Sequence, residues 1–308
     1  ETIPISQDSQ YDVALLYTGG KDSTYLLYRL AVEHKLRVLA LTWSIPFTSA
    51  NAKASIEAAK TIFPSVTFQQ KALSARDSLA FYRQLHASNH NVCACPSLAY
   101  VLFFSTLLEA KVPYFIVGNE PVQMMGLYYN QLAPLLAYQL VQKPALMRVV
   151  HASRWLKGKP SYQVGQFHTM ATMQQLAFGD PWYKKHTRYN HPLLANIIDA
   201  LQTIPHVLEP FQRAVKQANK SKNIPRFVTL KEDEKARSWP KMQALLQQKC
   251  GWIVPKNQQQ LHTSCQLESC KTNTQFRQFC DMKSTLIPFA SLEIPLAYIH
   301  GYLSNEAA

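Results

Sequence analysis

The stretch DVALLYTGGKDSTY, residues 12–25, decides how this chain folds. It reads as an apolar strand, then a turn with two adjacent glycines, then the start of a helix. Gly19 and Gly20 let the chain bend where a Cβ atom would clash, and their N–H groups can approach an anion closely. The N-terminus of the following helix presents free N–H groups and a positive dipole end to the same anion. The segment therefore predicts a phosphate site built largely from backbone.

Side chains of the same segment add to this site. Lys21 and the hydroxyl groups of Thr18 and Ser23 supply further hydrogen-bond donors. Either Asp22 or Ser23 is expected to cap the helix, because short polar side chains satisfy the free N–H groups of a first turn.

The six residues 18–23 resemble the SGGxDS signature of the PP-loop ATP pyrophosphatases, with Thr18 in place of the usual Ser. Their spacing differs from that of the Walker P-loop and from GxGxxG. The resemblance implies that the loop holds the pyrophosphate of ATP and that AMP is transferred to a substrate oxygen. The residues it assigns to the nucleotide are Thr18, Gly19, Gly20, Lys21, Asp22 and Ser23.

A magnesium ion that bridges phosphate oxygens is expected with the ATP. Asp22 is the candidate ligand of Mg²⁺, or else a helix cap, because a free carboxylate that faced a triphosphate would repel it. Lys21 and Asp22 are the candidate catalytic residues of the loop. Their work would be to position groups and to neutralise charge that develops on phosphate.

The first 135 residues alternate between strand and helix patterns. Such alternation predicts βαβ units, and hence an α/β fold with a doubly wound parallel sheet. The resemblance implies that this sheet is of the HUP/PP-loop type. We expect strands at residues 13–17, 37–43, 66–69 and 114–117, and helices at residues 23–34, 50–63, 75–87 and 96–111.

Two more nucleotide contacts follow from the position of strand ends, since ligands of such sheets bind beyond the carboxyl ends of the strands. Thr42 and Trp43 end the second strand, where the related enzymes hold adenine. Gly118 follows the fourth strand and corresponds to the family's glycine beside AMP. Trp43 fits a core position equally well, and Gly118 also fits an ordinary turn.

The six cysteines are unevenly spaced and include no CxxC pair, which argues against a zinc ribbon and favours reduced thiols. Cys95, just ahead of a helix, and Cys265, beside His262, are candidate catalytic residues if the protein carries sulfur as a persulfide. The alternative is that they are small apolar core residues. His262 fits a general base, a nucleotide contact or a structural residue.

The net charge of +13 is concentrated in the middle of the chain. Residues 136–230 hold 13 Lys or Arg against three acidic residues. We expect this segment to be a basic, mostly helical insertion that covers the strand ends and selects the acceptor. Its charge indicates an anionic partner, or else only solubility and attraction of the triphosphate.

Residues 231–308 are expected to form a closing segment that packs back on the domain of residues 1–135. Gly251-Trp252, Pro255, His262-x-Ser264 and the final Gly301-to-Ala307 run resemble the tail of the N-acetyl sugar amidotransferases. Asn305 stands where that group has Arg.

The leading hypothesis is an ATP-dependent adenylating ligase that drives C–N bond formation on a small metabolite. The alternatives are a tRNA-thiolating sulfurtransferase and a non-catalytic nucleotide-binding protein, so the acceptor is either a small molecule or tRNA. We expect a cytoplasmic protein without a membrane partner, because no apolar run reaches the roughly 18 residues of a membrane span and no secretory leader is visible. The oligomeric state stays open.

Overall fold

The computed structural model describes residues 3, 8–44, 48, 50–85, 87, 94–117, 143–179, 192–228, 239–253 and 298–299. Within these residues, five strands form one parallel sheet in the order β3-β2-β1-β4-β5. The predicted α/β class and its doubly wound parallel sheet are therefore confirmed. The strands are β1 (Val13–Leu16), β2 (Val38–Ser44), β3 (Thr67–Ala72), β4 (Tyr114–Val117) and β5 (Arg226–Val228).

Helices fill the connections between the strands and continue beyond the last one. A π-helical turn at Arg29–Glu33 extends the first helix. The helices are α1 (Lys21–Tyr28), α2 (Ala50–Ile62), α3 (Ala75–Leu85), α4 (Cys95–Glu109), α5 (Pro144–Leu156), α6 (Val164–Phe178), α7 (Pro192–Gln202), α8 (Pro205–Ala218) and α9 (Trp239–Cys250).

Apolar side chains cover both faces of the sheet, because successive strand residues point to opposite sides. In β1, Val13 and Leu15 join a cluster with α1, α2 and α9, whereas Ala14 and Leu16 join a cluster with α3, α4, α6, α7 and α8. This arrangement explains why β1 and β2 read as continuous apolar runs rather than as alternating patterns.

The middle of the chain contributes more to the sheet than the sequence indicated. Residues 136–230 were expected to be mostly helical, yet β5 lies in them and pairs in parallel with β4, with Phe115 opposite Phe227. Of the helices in this segment, α6, α7 and α8 share the α4 cluster rather than forming a separate core. The strand escaped prediction because it is three residues long and directly follows Pro225.

The strand order places a crevice beside the glycine loop. From β1, the chain crosses to β2 on one side, whereas β4 adds to the other side of β1. In sheets of this kind, ligands bind at this reversal, beyond the carboxyl ends of the strands. Leu16 at the end of β1 lies opposite Val117 at the end of β4, so the loop that follows β1 opens into this crevice.

Candidate functional site

The loop at residues 17–20 requires a glycine at position 19. Gly19 has φ +73°, which L side chains rarely adopt. A Cβ atom there would lie 2.8 Å from the Ala52 carbonyl oxygen and 2.8 Å from Ile56 Cγ1 of α2. Two independent constraints, the dihedral angle and the close approach of α2, therefore make Gly19 necessary.

The loop leads directly into α1 without a side-chain cap. The N-cap residue is Gly20, which has extended dihedral angles and no capping hydrogen bond from a side chain. The predicted cap by Asp22 or Ser23 is therefore wrong, since α1 begins at Lys21, two residues earlier than expected. An α-helix leaves the N–H groups of its first turn without intrahelical partners, and an uncapped glycine start is suited to an anion.

The hydroxyl groups of Thr18 and Ser23 brace this loop internally. Their oxygen atoms lie 3.1 Å apart, and the Ser23 hydroxyl accepts a hydrogen bond from the Thr18 N–H at 3.2 Å. The Ser23 hydroxyl also lies 3.2 Å from the carbonyl oxygen of Gly20, to which it can donate. Thr18 is exposed and Ser23 is buried, so Thr18 is the residue of this pair that faces solvent.

Trp252, in the turn after α9, makes a hydrogen bond to the backbone of the glycine loop. Its indole Nε1 donates to the Gly19 carbonyl oxygen at 3.1 Å, and its ring is buried. Gly251, with φ +58°, allows the turn that delivers this ring. The Gly-Trp pair that resembled a family tail motif thus contacts the glycine loop itself, as expected for a segment that packs back on the domain of residues 1–135.

Ser55 of α2 connects the same turn to the end of β1. Its hydroxyl accepts from the Ile253 N–H at 3.0 Å, and its carbonyl oxygen accepts from the Tyr17 hydroxyl at 3.5 Å. Thr24 Oγ1 lies 3.4 Å from the Tyr17 hydroxyl. Burial raises the pKa of Tyr17 to about 12, so this phenol stays protonated and acts as a structural donor.

Lys21 and Asp22 form an ion pair at the start of α1. Lys21 is fully buried, and its Nζ lies 2.5 Å from Asp22 Oδ1 and 3.8 Å from the Met242 sulfur of α9. The Lys21 ammonium is thus occupied by contacts within the protein. Asp22 Oδ2 is buried and has no hydrogen-bond partner among the described residues, so one oxygen of the carboxylate remains available.

The two residues predicted to hold adenine lie at the carboxyl end of β2 and are both buried. Thr42 Oγ1 donates to the Tyr17 carbonyl oxygen at 2.9 Å, which joins β2 to the start of the glycine loop. The Trp43 ring belongs to the core cluster on the α4 side of the sheet. Its buried Nε1 has no hydrogen-bond partner in the described part of the chain.

Cys95 is the first residue of α4 rather than lying ahead of that helix, and it is half-buried. Because α4 leads directly into β4 and helices in such crossovers run antiparallel to the strands, Cys95 lies at the carboxyl edge of the sheet, as the glycine loop does. Cys250, by contrast, is fully buried, and burial raises its pKa to about 12, which makes its thiol unreactive.

Asp77 lies in the first turn of α3, where its N–H donates to Ser74 Oγ at 3.1 Å and its carboxylate accepts from that hydroxyl at 2.6 Å. Cys265, His262 and Gly118 lie outside the described residues, as does the tail from Pro255 to the final Glu-Ala except for residues 298–299. Within the described residues, no three His, Cys, Asp or Glu side chains are placed to hold a metal ion.

Sequence reasoning missed Ser55 and understated Trp252. Nothing in the pattern of α2 distinguishes Ser55 from any other small residue on a buried helix face. Trp252 did carry a signal, namely a Gly-Trp pair followed by Pro255, but its partner Gly19 is 233 positions away. Only the fold shows that the two residues meet.

No protein-family model matches this chain. No curated protein is significantly similar to it. Among solved structures, the chain is similar to the U34-tRNA thiolase NcsA from Methanococcus maripaludis, solved with its 4Fe-4S cluster. That likeness has 14% sequence identity and a TM-score of 0.30, and it covers 66% of this chain and 71% of the other.

Proposed function

We propose that this protein binds ATP at the Thr18–Ser23 loop and cleaves it to AMP and pyrophosphate, so that AMP activates an acceptor oxygen for C–N bond formation. The observation that carries the proposal is the loop itself. Gly19 makes a left-handed turn at the end of β1, at the reversal of the strand order, and Gly20 starts α1 without a side-chain cap. This geometry suits a chain of phosphates, and residues 18–23 resemble the signature of enzymes that split ATP in this way.

The residues present fit a magnesium ion that takes few of its ligands from the protein. Asp22 Oδ2 is the carboxylate oxygen without a hydrogen-bond partner among the described residues, while Oδ1 is paired with Lys21. Mg²⁺ is commonly bound through one or two carboxylates together with substrate phosphates and water. When bound, the ion would neutralise charge on the phosphate oxygens.

The chemistry requires little from side chains. The acceptor oxygen attacks the α-phosphorus, the bond from the α-phosphorus to the bridging oxygen breaks, and pyrophosphate leaves with the electron pair. Ammonia or an amine then displaces AMP from the acceptor. In both steps the loop backbone positions the phosphates and compensates for their developing charge. The Trp252 and Ser55 contacts would keep these N–H groups in place before the nucleotide arrives.

The experiment is a product analysis with ATP and Mg²⁺ in the presence of pooled small carboxylates and carbonyl compounds plus ammonia. We expect AMP and pyrophosphate, and their loss in Gly19→Ala. Formation of ADP and orthophosphate would overturn the proposal, because it would place the cleavage at the γ-phosphorus. Absence of ATP binding by calorimetry would remove its basis.

The position of Cys95 supports a second candidate, transfer of sulfur to a tRNA. A half-buried thiol at a helix N-terminus, at the same sheet edge as the loop, is suited to carry sulfur as a persulfide. The product analysis distinguishes the two. If tRNA rather than a small molecule stimulates pyrophosphate release, and Cys95→Ser abolishes thiolation while adenylation persists, sulfur is the nucleophile. Full activity of Cys95→Ser with ammonia would exclude that role.

A further inference from the structure

Helix α5 exposes an unusual amount of apolar surface. Leu146, Val149, Trp155 and Leu156 are 40%, 65%, 75% and 76% exposed, respectively. They are four of the 11 large hydrophobic residues that are exposed in the described part of the chain. Isolated exposed apolar residues are normal, but four on one 13-residue helix indicate a contact surface.

The opposite side of α5 is fixed to the protein. Met147 is buried, and the His151 ring nitrogen lies 2.9 Å from the Tyr162 carbonyl oxygen, to which it can donate. Leu146, Val149 and Leu156 lie on the side of the helix away from Met147 and His151, so this apolar face points outward on an anchored helix, with the exposed Trp155 at its flank.

The stretch of sequence that contains α5 has no acidic residue. Residues 121–179 contain no Asp or Glu, whereas five basic residues lie between positions 143 and 159. These basic residues are Lys143, Arg148, Arg154, Lys157 and Lys159. A surface with this charge selects an anionic partner.

Arg154 brings a second basic turn to the same place. Its guanidinium donates to the Asn219 side-chain and main-chain oxygens at 2.9 and 3.0 Å, and to the Pro160 carbonyl oxygen at 2.7 Å. The Arg154 guanidinium also stacks 3.5 Å above the Tyr162 ring. These contacts place the turn with Lys157 and Lys159 beside the turn with Lys220 and Lys222.

We propose that α5 and these two turns bind the surface of an anionic lipid bilayer. Helices that lie in a bilayer interface combine exposed Leu, Val and Trp side chains with Lys and Arg that reach the headgroups. A nucleic acid would match the lysines, but it offers nothing for Leu146, Val149 and Leu156, since bases stack on aromatic rings and the phosphates take up cations. The bilayer is the anionic partner that also buries aliphatic side chains.

This mode of binding needs no spanning segment. Among the described helices, none is long and apolar enough to cross a bilayer. The sequence-based expectation of a protein without a membrane partner stays a prediction, and the vesicle experiment below decides between it and this proposal. The proposal is independent of the nucleotide chemistry.

The test is co-sedimentation of the whole chain with phosphatidylcholine vesicles, with and without phosphatidylglycerol. We expect binding to the anionic vesicles only, with a steep decrease as salt is raised. Lys157→Gln should weaken binding about fivefold, the effect expected of one basic residue near an anionic surface. Leu156→Ser should weaken binding by at least as much, because the side chain inserts into the bilayer.

Matched controls use surface residues elsewhere. Leu79→Ser, at a position 70% exposed on α3, and Lys53→Gln, at an exposed position on α2, should bind as the unchanged protein does. Failure to sediment with anionic vesicles would overturn the proposal, as would equal loss in the controls. If vesicle binding is absent, two further results would identify the true occupant of this surface. RNA binding that Lys157→Gln weakens would assign it to a nucleic acid, and self-association that Leu156→Ser abolishes would assign it to a second copy of the chain.

Discussion

Replacing Trp252 by Phe tests whether the C-terminal turn supports the glycine loop. The substitution keeps an aromatic ring but removes the Nε1–H group that donates to the Gly19 carbonyl oxygen at 3.1 Å. Because Trp252 is only 3% exposed, water does not readily replace the lost donor. A buried acceptor left without a partner costs about 1–3 kcal/mol.

Two measurable effects follow from this energy. The midpoint of thermal unfolding, followed by circular dichroism, should fall by about 2–12 °C, since 1 kcal/mol shifts it by about 2–4 °C in a protein of this size class. If the loop also becomes free to leave its binding geometry, the Kd for ATP with Mg²⁺ should rise by a factor between about 5 and 150, the limit set by the same energy.

The matched control is Trp155→Phe, which makes the same chemical change at a position 75% exposed. Its free energy of unfolding should change by no more than about 0.5 kcal/mol. A second variant, Ser55→Ala, removes the hydroxyl that accepts from the Ile253 N–H. Combined with Trp252→Phe it should show non-additive destabilisation, because both contacts hold the same turn.

The reasoning would be refuted if Trp252→Phe were as stable as Trp155→Phe. It would also fail if the variant were destabilised while amide hydrogen exchange at residues 17–23 stayed unchanged, since ring packing and not loop support would then be the cause. ATP affinity is a separate measurement, so a protein that binds no ATP would refute the proposed function and leave the structural role of Trp252 intact.

Three further predictions follow from single contacts. Gly19→Ala should lower the free energy of unfolding by more than about 1 kcal/mol and abolish nucleotide binding by calorimetry, because its φ is positive and its Cβ would meet the Ala52 carbonyl oxygen; wild-type affinity would contradict this. Ser74→Ala should cost about 1 kcal/mol in urea unfolding through loss of the cap to Asp77, and unchanged stability would oppose it. Burial lowers the pKa of His168 from 6.5, so the neutral ring contributes stability above about pH 6.5 that is lost as the pH falls through the lower folded-state pKa; His168→Gln should flatten this decrease in thermal midpoint, and an unchanged pH profile would disprove the link.

The local pattern predicted most of the first half of the fold. The strand at residues 114–117 is observed with the predicted bounds, and the helices at residues 50–63 and 75–87 differ only at their C-terminal ends, by one and two residues. The apolar periodicity of these two helices is visible in the sequence, so their positions could be predicted closely. β5 was missed because three residues are too few to establish a period. Its parallel pairing with β4, and not its own sequence, identifies it as a strand.

The start of α1 shows why the site was harder to predict than the fold. Both Asp22 and Ser23 have the chemistry of a cap, and local propensity favours such a residue at the helix start. In the structure, the Ser23 hydroxyl contacts the loop and Asp22 pairs with the buried Lys21, so Gly20 becomes the N-cap. A residue far along the chain also contributes to this arrangement, since the Met242 sulfur of α9 lies 3.8 Å from Lys21 Nζ.

The sequence by itself determined the parallel α/β class and the position of the glycine loop between β1 and α1, because both depend on contiguous residues whose backbone preferences act locally. The tertiary structure alone decided that Trp252 and Ser55 support that loop, that β5 joins the sheet beside β4, and that α5 presents an apolar, basic face. These features arise from contacts between residues far apart in the chain, and no local pattern encodes which distant residues meet.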